Sequence, residues 1–229
     1  MEALPPELAN CRACPRLVEH RETIAREKRR TYRNESYWGR PVPGFGDPAA
    51  RIALLGLAPG AHGSNRTGRM FTGDASGDFL YPALYRAGLA SRPTAQAVDD
   101  GLTLRDVWIT SSARCVPPGN RPNRDELINC RKWLEHDFDG LPRVRLVVAL
   151  GGIAHNSYLD LLRSRGASLV KRDYTFSHGA LHQLESFSGA VPLLDCYHPS
   201  FQNTNTGRLT AQMLDELLSR AIGLVGPWR

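Results

Sequence analysis

No stretch of this sequence approaches the roughly 18 consecutive apolar residues of a membrane span, and its opening, MEALPPELANC, lacks a basic segment followed by an apolar one. A membrane class and a secretory leader are therefore not expected, and the chain reads as cytoplasmic. Cysteine is scarce, five in 229 residues. So few, without an export signal, argue against a disulfide framework and towards metal or redox chemistry. Internal repeats and low-complexity segments are absent, and 41% hydrophobic with 23% charged residues are ordinary proportions for a folded soluble chain. Two common phosphate-binding signatures are missing as well. The Gly-rich stretch at 56–73 lacks the Gly-Lys-Ser/Thr ending of a Walker A loop and does not read G-x-G-x-x-G, so no nucleotide cofactor is expected.

What is present fits one domain spanning 1–229, with an N-terminal metal-binding arm. The balance is basic, 29 Lys+Arg against 23 Asp+Glu, and Arg dominates the positive side. Because the Arg fork suits phosphate and base edges, this favours a polyanionic partner. Four apolar runs read as strands: Ile52 to Leu57, Asp106 to Ala113, LVVAL within Arg143 to Gly151, and Val191 to Tyr197. Helical patterns run over Gly77 to Ala87, Asp125 to His136, Gly152 to Arg163 and Ala211 to Ile222, and Pro82 suggests a kink in the first. Strand and helix alternate, so the expected fold is α/β, a right-handed, mainly parallel four-stranded sheet sandwiched by helices.

Cys11-x2-Cys14 lies in the arm and Cys115-x14-Cys130 spans a loop and the following helix. Four thiolates suit a tetrahedral zinc or an iron-sulfur cluster, and spacing alone does not choose between them. Cys196 falls inside a core strand, where a small hydrophobe is the expected role. The stretch RIALLGLAPGAHGSNRTGRMFTGD passes from a strand directly into a Gly-rich loop, the place where α/β sheets hold ligands. It supplies backbone amides, Asp74, Phe71 and Arg69. A second polar cluster, His198, Asn203, Asn205, Thr206 and Arg208, also follows a strand. Together the two loops describe a pocket for a flat polar ring. Each residue also has a plainer role available: Asp74 as a helix cap, Phe71 as core, Asn120 and His198 as turn residues, and Arg208 with Leu209 as the start of the last helix.

The loop GLAPGAHGSNRTGRMFTGD, the segments ITSSARCVPPGNRP and HPSFQNTNTGRLT, and the four spaced cysteines resemble, in order and over nearly the whole chain, the uracil-DNA glycosylase superfamily, and most closely its family 5 (type b). The resemblance implies a three-layer α/β/α sandwich and a 4Fe-4S cluster on Cys11, Cys14, Cys115 and Cys130, with zinc as the alternative. It implies hydrolysis of the N-glycosidic bond of a deaminated base flipped out of double-stranded DNA, by a monomer associated with the nucleoid. By likeness Phe71 stacks on the base, His198 donates to a base oxygen, and Asp74 and Asn120 handle the water. Gly56, Ala58, Gly60, Ser111 and Asn203 would line the base site, while Arg69, Arg208 and Leu209 would meet DNA, the last two as candidate wedges. Relatives with GQDPY or GEAPG carry a polar residue where this chain has Leu57 and Ala58, and Ser111 stands where an Asn reads the uracil edge in a neighbouring family. Broader specificity, including hypoxanthine or xanthine, is the expected consequence. A non-catalytic, metal-stapled nucleic-acid-binding module is the alternative from a different class, and a mononucleotide-dependent α/β enzyme a weaker third.

Overall fold

The four runs expected as strands do pair side by side, as the centre of a wider sheet. The computed structural model describes residues 5–184 and 189–226, so the single-domain span of 1–229 includes three short segments outside the described residues. The chain begins with α1 (Pro6–Ala9) and α2 (Pro15–Glu27), then β1 (Phe45–Gly46), β2 (Ile52–Gly56), the short α3 (Ser64–Thr67) and α4 (Ala75–Arg86). It continues through β3 (Val107–Ser111), α5 (Arg124–Asp139), β4 (Leu146–Leu150) and α6 (Gly152–Ser164). The remaining elements are β5 (Leu181–His182), β6 (Leu193–Cys196), α7 (Phe201–Asn205) and α8 (Ala211–Val225). Among the described residues the strand order is β1-β3-β2-β4-β6-β5. The inner four strands run parallel, in registers such as Leu54↔Ile109 and Leu54↔Val148.

The expected four-stranded sheet is thus six-stranded. The two additions, β1 and β5, are two-residue antiparallel edges. A pair of residues shows no period, so neither edge is visible in the sequence. The inner strands alternate as the pleat requires. Ile52 and Leu54 face one apolar layer with α4 and α8, and Ala53 and Leu55 face the other with α6. Every residue of β2 and β4 is buried, which explains their unbroken apolar sequences.

Helix ends follow local chemistry. α5 starts at a capping box in which the Asn123 side chain accepts from the Glu126 amide and Glu126 accepts in return from the Asn123 amide. The helix after Cys14 stops where Lys28 turns to φ 56°, and the basic stretch behind it keeps only one 3-10 turn, Arg30–Tyr32. No helix among the described residues is long and apolar enough to cross a membrane.

One polar knot ties the sheet to the layer above it. Asp195, fully buried on β6, accepts from His155 Nδ1 at 2.8 Å, from His182 Nε2 at 3.0 Å and from the Ser177 amide at 3.2 Å. His155 Nε2 reaches the Tyr174 carbonyl at 2.8 Å. These bonds fix segment 174–182 against α6, directly behind the strand that delivers His198. Replacing Asp195 by Ala leaves those donors unpaired and is expected to destabilise the fold by about 3–5 kcal/mol. Urea unfolding with an unchanged m-value would measure it.

Candidate active site

The carboxyl ends of β2, β3 and β6 open into a cavity of about 850 Å³. Its wall includes Gly56, Ala58 and Gly60 after β2, Phe71 and Asp74 further along the same loop, Ser111 at the end of β3, and Asn120 and His198. Eight of the twelve residues expected to carry chemistry or meet DNA therefore share one space, although they are spread over more than a hundred positions of sequence.

Asp74 is held from two sides. Its Oδ1 accepts from the amides of Ser76 and Gly77 at 3.1 and 3.0 Å, so it caps α4. Its Oδ2 lies against Gly60, where an added Cβ would sit 2.8 Å away, and against Gly63, where a Cβ would overlap the carboxylate. The helix cap and the catalytic assignment are thus compatible, one oxygen to each. Burial raises its pKa, and the two amide bonds pull in the opposite direction.

Phe71 adopts φ 51°, a left-handed conformation that a bulky side chain accepts only when its surroundings enforce it. Its amide donates to Ser64 Oγ at 3.1 Å, and its ring lies across Gly56, where a Cβ would come within 3.1 Å of it. Gly77 is excluded from carrying a side chain by the Phe71 carbonyl. The result is a ring at the floor of the cavity with its centroid 6.0 Å from that of His198. Burial lowers the His198 pKa to about 4, so the imidazole is neutral at physiological pH. Gly151, at φ 103°, leaves room for the His198 side chain, whose Cβ would lie 3.3 Å from a Cβ placed there.

Several assignments change. Arg69, expected at DNA, is 3% exposed and places both terminal nitrogens on Asp100, at 2.9 and 2.7 Å. A guanidinium so enclosed offers nothing to a phosphate. Leu209, a wedge candidate, is fully buried in the main core, so it is unable to enter a base stack. Asn203 is not in the cavity wall; its Nδ2 donates to the His198 carbonyl at 2.9 Å and so holds that loop. Arg208 is exposed and stacks over Tyr197 at 4.5 Å. Ser111 is in the wall, but its hydroxyl donates to the Ala113 carbonyl at 2.8 Å.

The sequence reading missed His62, Arg29, Tyr32, Arg121 and Phe201, all in the wall. Phe201 is 66% exposed beside His198. An aromatic directly after the His-Pro-Ser turn was the available signal for it.

Cys11, Cys14, Cys115 and Cys130 line a second, small cavity with Arg21, Arg114 and Trp133. Ala58 touches the cluster of side chains around it, so the two sites are one residue apart. Arg21 donates to Cys115 Sγ at 2.9 Å and the Arg114 amide to Cys130 Sγ at 3.2 Å. Nε of Arg21, Nε and Nη1 of Arg114 and the Trp133 indole nitrogen are buried without partners. Orphaned donors around four thiols fit an anionic group carrying further acceptors. Burial pushes Cys130 up to about 12, so its thiolate needs a positive centre next to it. Cys196 is fully buried in the core, as expected.

The uracil-DNA glycosylase superfamily model matches residues 43–221. The chain belongs to this superfamily. It is 50% identical over 224 residues to a type-5 uracil-DNA glycosylase of Mycobacterium leprae, covering 97% of this chain and 95% of that one. Identity to a type-5 uracil-DNA glycosylase of Thermus thermophilus is 52% over 225 residues, 98% of each chain. A type-4 uracil-DNA glycosylase of Pyrobaculum aerophilum is 33% identical over 162 residues, 69% of this chain and 71% of that one. Membership is therefore in the type-5 family, as the loop and cysteine motifs imply.

In this superfamily member the packing of Gly63 on Asp74 has a direct test. Gly63→Ala should displace the carboxylate by about 1 Å and slow single-turnover base release by about 100-fold, with duplex affinity nearly unchanged in a binding titration. A second expectation concerns pH. The raised Asp74 pKa means that the carboxylate is lost, and the rate falls, as pH drops through a value above the ordinary 3.8. Asp74→Asn should remove that acidic limb from the pH–rate profile.

Proposed function

We propose that this chain is a monofunctional DNA glycosylase that hydrolyses the N-glycosidic bond of uracil flipped out of double-stranded DNA, leaving an abasic site. The observation that carries this reading is that Asp74 and a neutral His198 line one cavity with the Phe71 ring, its centroid 6.0 Å from that of His198. As the bond breaks, negative charge collects on the base and positive charge on the sugar. A donor is then needed at the ring and an anion at the sugar. His198, neutral above about 4, donates an N–H without leaving a charged residue behind. Asp74 presents Oδ2 to the cation and orients the attacking water, with Asn120 on the rim as a second holder of that water. Ala58, where relatives carry a polar side chain, leaves this work to Asp74.

Hypoxanthine and xanthine are included as substrates. A cavity of about 850 Å³ has room for a purine, and the Ser111 hydroxyl is already bonded to backbone, so little in the wall selects a pyrimidine edge. Phe201, exposed at the opening, replaces Leu209 as the residue that fills the vacated stack. The partner in this reading is double-stranded DNA in the nucleoid, met by a single copy of the chain.

The cysteine centre is proposed to hold a 4Fe-4S cluster. The unpartnered donors of Arg21, Arg114 and Trp133 around the four thiols support a group with acceptors of its own, as the inorganic sulfides of a cluster are and a zinc ion is not. When bound, such a cluster would supply a structural staple between arm and sheet, with Arg21, Arg114 and Trp133 donating to its sulfurs.

Purified protein is expected to be brown, with iron on analysis and absorbance that bleaches on reduction; a colourless, zinc-containing protein would refute the cluster. Incubated with duplexes carrying uracil, hypoxanthine or xanthine and then with alkali, it should cut the strand at each base. An intact uracil strand at high enzyme concentration would sink the glycosylase reading. His198→Ala should slow single-turnover release by about 10²–10³-fold, the size expected for loss of one charge-stabilising donor.

A further inference from the structure

His62 has a place in the cavity wall that the mechanism above does not use. It stands in the loop after β2, half-buried at the opening, with Arg29 and Tyr32 as neighbours in the same wall. The next residue, Gly63, packs directly on the Asp74 carboxylate. Phe71 and His198 mark the base side of the cavity. His62 therefore stands on the Asp74 part of the wall, where the reading above puts the sugar and its phosphates.

Its ring is oriented from behind. The Tyr37 hydroxyl is 3.0 Å from His62 Nδ1 and accepts the backbone N–H of Arg29 at 3.4 Å. Nδ1 is the acceptor within reach of the hydroxyl proton among the described residues, so the hydroxyl donates to it. The proton of the neutral imidazole then resides on Nε2. Burial and the guanidinium groups of Arg29 and Arg66 lower the His62 pKa, which favours that neutral form. The backbone is pinned as well: Arg66 Nε donates to the His62 carbonyl at 2.7 Å, while its other nitrogens hold Glu35 and the Gly73 carbonyl. Nε2 itself has no partner among the described residues. The arrangement is a fixed N–H donor beside an exposed cation, at the opening of a site for one nucleotide.

We propose that His62 contacts DNA, its Nε2–H donating to a non-bridging oxygen of a phosphate that adjoins the extruded nucleotide. Tyr37 is a positioning residue that fixes the tautomer, and Arg29 supplies positive charge at the same opening. This rests on the reading that Asp74 faces the sugar. The contact clamps the nucleotide outside the duplex stack and so acts on binding and on alignment for attack.

The test uses the full chain and duplexes with one uracil opposite guanine. The phosphate on the 5′ or the 3′ side of the uracil is either native or replaced by a neutral methylphosphonate. For wild type, one of the two replacements should reduce single-turnover release at subsaturating enzyme by about tenfold, the size of one hydrogen bond to a charged group. His62→Ala should lose a similar factor on native duplex and almost nothing further on that methylphosphonate duplex. His62→Gln, which keeps an N–H donor, should recover part of the loss, and Tyr37→Phe should show an intermediate one. Losses from His62→Ala and from methylphosphonate that multiply, or a wild type indifferent to both replacements, would overturn the contact. Because the replacements alter only the DNA, the wild-type arm is independent of how well any variant folds. Asp74→Asn on native duplex is the separate control: an unchanged release rate there would overturn the placement of Asp74 itself, whatever the phosphate comparison returns.

Discussion

The arrangement depends on how the two oxygens of Asp74 are divided. A carboxylate at the start of a helix is stabilised by free amides and by the helix dipole. Those amides, from Ser76 and Gly77, engage only Oδ1. Oδ2 is left between two glycines that have no side chain to spare for it. The same helix start therefore anchors the acid through one oxygen and leaves the other free, so in the proposed mechanism the group that meets a developing cation needs no separate support. The left-handed Phe71 turn is part of the same construction, because Gly77, whose amide caps Asp74, is also where the Phe71 carbonyl passes.

A second consequence is that the two ends of the cavity are tuned in opposite directions by the same burial. Removal from water disfavours charge on either kind of group. For Asp74 it opposes the carboxylate and is offset by two amide bonds. For His198 it opposes the imidazolium, and no compensating interaction acts. The result is a carboxyl whose pKa is raised by burial and lowered by its amides, in the same cavity as a histidine that stays neutral above about 4. The proposed separation of charge along the breaking bond needs such a pairing: an anion at the sugar and an uncharged donor at the ring.

Much of this was legible in the sequence for physical reasons that can be named. The inner strands are buried on both faces, so their composition alone marks them. His198 follows such a strand directly, Phe71 and Asp74 stand on the Gly-rich loop that leaves another, and loops at the carboxyl edge of a parallel sheet converge. Illegible features were those decided by packing between distant segments. Arg69 looks like a surface cation until Asp100 is folded against it. Leu209 precedes α8 and reads as exposed, yet it fills the core under that helix. Asn203 sits in a polar run, and only the turn of α7 shows that its amide serves the His198 carbonyl. The Asp195 knot is likewise assembled from residues up to 40 positions apart that share no motif.

The cysteine centre and the cavity are not separable parts, because contacts run through both. α2, which begins directly after Cys14, carries Arg21 to Cys115 and ends next to Arg29 at the cavity opening. The strap that follows brings Glu35 to Arg66 and Tyr32 beneath the same guanidinium at 4.0 Å. Arg66 in turn holds the carbonyls of His62 and of Gly73, the residue before Asp74. On the other side Ala58 packs on the cysteine cluster while lining the base site. Local structure opens where contacts are fewest, and an arm of two short helices has little apolar area of its own to hold it down. A group bridging all four cysteines would therefore act on catalysis through position alone, by keeping the strap seated so that Arg66 can hold the loop on which Asp74 stands.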